Sequence, residues 1–196
     1  MRHLIFIVVF VSIAGGCGGV KNLSLTDARL PIEARRWLAD AEDEVAITTA
    51  RVIEAEKGLR KVEEYQENVV EKLRKSWTSG RAASEGEKAW VAFNNYTQQK
   101  VTLAKAILES AETDKTLAEL RLKQARAETA MRYDIAVYEI APIVAEVQAQ
   151  RKLVAKSTKQ VEAHRIKLEK TAAVAWQSFY QYAQKGGITN ALWFAH

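Results

Sequence analysis

The chain has 196 residues, 48% hydrophobic and 27% charged, with a net charge of +5. Its two prolines and nine glycines are too few turn residues for a globular α/β protein, whereas its wealth of Ala, Glu, Lys, Arg, Leu and Val favours long helices. The single cysteine excludes an intramolecular disulfide.

The first seventeen residues hold Arg2, an apolar run from Leu4 to Ile13 broken only by Ser12, and the small residues Ala14-Gly15-Gly16 before Cys17. A run of about 10 residues is roughly 15 Å long as a helix, and a bilayer core of about 30 Å needs about 20. It therefore reads as an export signal and not as a membrane span. These residues resemble the signal of bacterial lipoproteins, in which small residues lead directly to a cysteine. The resemblance covers residues 1–17 and implies cleavage before Cys17, a diacylglycerol on its sulfur and an acylated new amino terminus. Because Gly18 and not Asp follows, sorting by the same analogy points to the outer membrane, facing the periplasm.

The expected organisation is a signal peptide over 1–16, the lipidated cysteine and a flexible tether over 17–30, a helical coiled-coil domain over 31–185 and an apolar tail over 186–196. Pro31 suits the start of a first helix, because its missing N–H is not needed there. From Pro31 to Trp77 two rows recur every seven residues: Leu38, Val45, Val52, Leu59, Gln66, Leu73, and Ala41, Thr48, Ala55, Val62, Val69, Ser76. Nine of these twelve positions are apolar, which predicts a coiled-coil seam roughly 70 Å long. Thr78-Ser79-Gly80 ends it. Ser84 with Glu87 forms a capping-box pattern that starts a second helix, and so short a loop makes the two helices antiparallel neighbours.

The second helix carries Ala104, Ala111, Ala118 and Ala125 every seven residues, small side chains that let helix axes approach closely. After Pro142 a third segment repeats Val147, Val154, Val161, Leu168, Ala175 and Tyr182, with a weaker row at Val144, Arg151, Thr158, Arg165, Ala172 and Phe179. The fold class is all-α: an elongated antiparallel coiled-coil hairpin extended to a three-helix bundle. The alternative is a hairpin whose second helix continues through a kink at Pro142.

No constellation for catalysis, metal or cofactor binding stands out. His3 lies in the signal, His196 is the last residue and His164 has no histidine four residues away, so a helical metal pair is absent. No Ser/His/Asp order, phosphate loop or nucleophile elbow is present, and the carboxylates fall in a solvated helical pattern. Catalysis, a cofactor, a small-molecule substrate and nucleic acid are not expected.

Two aromatic groups and one basic segment remain. Trp77, Trp90, Phe93 and Tyr96 surround the first loop and either plug the end of the coiled coil or present anchors to a protein partner. Trp176, Phe179, Tyr180, Tyr182, Trp193 and Phe194 form a second group; in a three-helix bundle the two meet at the end far from the anchor. Between Ile143 and Lys185 there are 8 basic and 3 acidic residues. Lys152, Lys156, Lys159, Arg165, Lys167 and Lys170 are candidates for contact with an anionic lipid or envelope polymer. The expected function is a non-enzymatic, membrane-anchored scaffold or adaptor of the bacterial cell envelope, associating with a protein partner or with itself. Its hairpin is similar in heptad architecture alone to those of periplasmic adaptors and outer-membrane efflux channels. The rival expectation is a binding module for anionic polymer or lipid.

Overall fold

A computed structural model describes residues 23–79 and 82–186. Cys17, the signal, and Trp193 and Phe194 lie outside the described residues. The described chain is all-α. Helix α1 spans Ile32–Tyr65 and passes through a π-helical turn, Gln66–Val70, into α2, Glu71–Trp77. Helix α3 spans Ala83–Arg132 and α4 spans Ile140–Gln184. At about 1.5 Å per residue the 50-residue α3 is about 75 Å long.

The reversal between α3 and α4 falls at residues 133–139, ahead of Pro142. Asp134 adopts a left-handed φ of 52°, and the amide of Ile135 reaches back to the Ala130 carbonyl at 2.8 Å, a capping pattern that satisfies the orphan carbonyls of the helix end. Pro142 then occupies the first turn of α4, where its missing N–H breaks no helical bond. The alternative of a helix continuing through a kink at Pro142 is therefore not adopted, and, as expected, the chain reverses into a third long helix.

Helix α3 packs along α1 on one side and α4 on the other, but no Cα of α1 comes within 8 Å of one of α4. Interhelical pairs set the register. Arg126 bonds Glu42 at 2.9 Å and Lys105 bonds Glu63 at 3.2 Å between α3 and α1, while Lys123 bonds Glu146 at 3.0 Å across α3 and α4. Such half-exposed pairs contribute little stability each, and the larger share comes from burial. Ala111, Ala118 and Ala125 of the alanine row are buried, as are Val147, Ala175 and Tyr182 of the valine row.

The second row of α4 differs from the expected one. Arg151, Thr158 and Arg165 are exposed. Gln150 and Ser157 are buried instead. The Gln150 amide donates to the Thr113 carbonyl at 3.0 Å, and the Ser157 and Thr113 hydroxyls lie 3.0 Å apart. Small polar side chains that bond one another pass where long cations cannot, because each buried polar group needs a partner.

The core is divided in two. A proximal cluster joins Leu23, Leu30, Ala34, Leu38 and Ala125, with Tyr133 and Ile135 packed against it. A distal cluster joins Val70, Leu73, Trp77, Ala89, Phe93, Phe179 and Tyr182. Between them no residue from Thr49 of α1 to Val69 of the π turn and no α4 residue from Thr158 to Val174 is buried. The segment read as tether is thus packed from Leu23 onward. Asp27 folds a turn back on Ser24, and the Arg35 guanidinium donates to the Leu30 and Asp27 carbonyls.

Candidate functional site

The aromatic residues around the first loop are placed by two local departures from helical regularity. The π turn adds one residue to its coil. From its last residue on, Val70, Leu73 and Trp77 face inward, whereas an unbroken seven-residue row would have turned Ser76 inward; Ser76 is exposed. The second departure is the start of α3. Its N-cap is Ala82, without a side-chain cap, so the expected Ser84 capping box is not formed and Ser84 lies exposed in the first turn. Starting there brings Gly86 against the end of α2, where an added Cβ would fall 1.7 Å from the Trp77 carbonyl oxygen. Only glycine permits this approach.

Trp77 and Phe93 are consequently 0% exposed and offer a partner no surface. Their ring centroids lie 5.6 Å apart, and Trp77 packs 5.3 Å from Phe179 and 5.9 Å from Tyr182. The two aromatic groups of the sequence therefore meet at one end. The Trp77 indole nitrogen has no hydrogen-bond partner, a cost accepted inside the plug. Trp90 is half-buried, its indole N–H donating to the Val70 carbonyl at 3.0 Å with the Arg74 guanidinium 4.8 Å above its ring. That bond ties α3 to the π turn, as does the Gln66 amide donating to Asn94 Oδ1 at 2.7 Å. Tyr96 is also half-buried. The exposed members are Trp176 and Tyr180, 47% and 63% exposed.

One cluster had no sequence signal. Lys100 Nζ sits 5.9 Å from the Tyr65 ring centroid and 5.6 Å from that of Tyr96, an aromatic-cation arrangement between α1 and α3. Burial lowers the Lys100 pKa. Burial raises the pKa of both phenols, and the neighbouring Tyr96 raises that of Tyr65 further. Residues 35 positions apart meet here only through the antiparallel register.

The middle of the molecule holds an open trough between α1 and α4, floored by α3. A section of about 560 Å³ is lined by Ala55, Leu59, Ile107 and Val161 with Arg51 and Arg165 beside them. Among the described residues no group of His, Cys, Asp or Glu could hold a metal ion. His164 stands alone, half-buried on the α3 side of α4.

The basic residues of the third segment divide. Lys152, Lys156, Lys159, Lys167 and Lys170 are exposed and occupy the outer face of α4. Arg165 turns toward the trough and lies 3.3 Å from Glu162. No helix among the described residues is long and apolar enough to cross a membrane. No protein-family model, no curated protein and no solved structure matches the chain.

Proposed function

We propose that the chain is a lipid-anchored, non-enzymatic coiled-coil rod of the bacterial cell envelope, held by acyl chains on Cys17 and serving as a scaffold or adaptor. The observation that carries this reading is the N-terminal arrangement: a positive residue, a short apolar run and small residues ending at a cysteine, followed six residues later by a packed helical body. The apolar run is too short to span, whereas two or three acyl chains, at about 0.8 kcal/mol per buried methylene, anchor stably. The heptad rows supply the coiled-coil element. Gly18 after the cysteine favours the outer membrane, facing the periplasm. An adaptor role draws support from the distal end, where Trp176 and Tyr180 remain exposed beside a rigid aromatic plug. Aromatic side chains on a stiff support are suited to anchoring a protein partner.

The test is mass spectrometry of the mature amino terminus from the membrane fraction. The expected first residue is Cys17, carrying a diacylglyceryl thioether and an N-acyl group. A mature chain beginning elsewhere, or a free Cys17 thiol, overturns the anchor.

A further inference from the structure

We infer that the outer face of α4 is a docking strip for an anionic bilayer surface. With about 100° of rotation per residue, Lys152, Lys156, Lys159, Lys167 and Lys170 fall within an arc of about 80°. Along the axis they extend over about 27 Å at about 1.5 Å per residue. All five are exposed, and none has an ion-pair partner among the described residues, although other cations of the molecule do. The three acidic residues of α4, Glu146, Glu162 and Glu169, each stand about 100° or more from the centre of the arc. The strip is thus a run of uncompensated positive charge facing away from α3.

Its shape selects the partner. Lys152, Lys156 and Lys159 frame a shallow depression floored by Ala155 and Ala163, and every residue lining it belongs to α4. A convex ridge without walls from a second helix has nothing to cradle a linear polymer, but it meets a plane along its whole length. Between and beside the lysines stand Ala163, Val174, which is 56% exposed, and Ile166, which is 46% exposed. Short apolar side chains among lysines suit the head-group layer, where the ammonium groups meet lipid phosphates and the stems cover apolar surface. The remainder of the molecule favours one orientation only. The stretch from Ile32 to Trp77 carries 9 basic and 11 acidic residues, so its surface is not attracted to negative lipid. The strip stands without the anchor, which merely holds it near the bilayer.

Amine acetylation followed by mass spectrometry tests this on the full chain, bound to vesicles of phosphatidylcholine alone or with one third phosphatidylglycerol. On the anionic vesicles the five strip lysines are expected to be acetylated several-fold more slowly, while the exposed Lys57 and Lys61 of α1 and Lys72 of α2 are unchanged. On phosphatidylcholine no selective protection is expected, and high salt is expected to abolish the protection on the anionic vesicles. Flotation with phosphatidylcholine vesicles reports the acyl anchor independently, so the two readings fail separately. Uniform protection of all lysines, equal protection on both vesicles, or protection by soluble polyphosphate but not by anionic vesicles overturns the proposal, the last by assigning the strip to a linear polyanion.

Discussion

A methyl group on Gly86 would meet the Trp77 carbonyl oxygen at 1.7 Å, whereas one on Gly58 would meet nothing within 4 Å. Two glycines in helices thus have opposite roles. Gly86→Ala is expected to cost about 3 kcal/mol or more, because the contact is with backbone and the helix ends must separate. Gly58→Ala is expected to stabilise by about 0.5–1 kcal/mol, the ordinary penalty of a helical glycine. Urea denaturation of both variants checks the pair, and equal effects would mean that the α2–α3 junction is looser than described. The tyrosines beside Lys100 give a pH signature. Their folded pKa values lie above the unfolded value, so the stability they supply is intact below the unfolded phenol pKa and is lost as pH rises through the folded ones. Lys100 has the opposite sign: its lowered pKa means that the charged amine opposes folding until it deprotonates. Absorbance titration is expected to show phenol ionisation above the ordinary tyrosine value that disappears in Tyr65→Phe with Tyr96→Phe, and the same pair of substitutions to lessen the alkaline loss of stability. None of this was legible beforehand, since Tyr65 and Lys100 become neighbours only through tertiary register.

Helix by helix, the seven-residue rows located the three long elements and, in the alanine row of α3 and the valine row of α4, several of their buried positions. They failed where local geometry changed phase. The π turn at Gln66–Val70 leaves no mark in a hydrophobic pattern, yet it decides that Trp77 and not Ser76 enters the core. Deleting Glu67 should restore the regular phase and rotate Trp77 by about 100°. The expected outcome is loss of the near-ultraviolet circular dichroism of the aromatic plug with most helicity retained; a preserved aromatic signal would show that the extra residue has no such role. The polar row of α4 was missed for another reason. Gln150 and Ser157 look like surface residues until Thr113 and Ser110 face them across the seam, and their hydrogen-bond partners belong to a different helix. The proline question resolved through backbone chemistry not centred on the proline itself: Asp134, in left-handed geometry, turns the chain eight residues earlier.

The molecule as a whole is sealed at both ends and open between them. Heptad counting predicts a continuous seam, but the alanines of α3 bring helices close while covering little of them. The residues facing the trough, such as Ala55, Leu59 and Val161, stay half-buried. Local opening should follow this division. Amides of α1 from Val45 to Val62 are expected to exchange hydrogen faster than those near Leu38 or Leu73, and uniform protection along the helix would argue that something closes the trough. The proximal seal carries a different consequence. Leu23 is held in the cluster with Leu30 and Leu38, and only six residue steps separate it from Cys17, at most about 22 Å of fully extended backbone. If that sulfur is acylated, the folded mass hangs on a very short leash. Enzymes that process the cysteine would have to work almost against the helices, so maturation must either run ahead of folding or prise Leu23 out of its socket first.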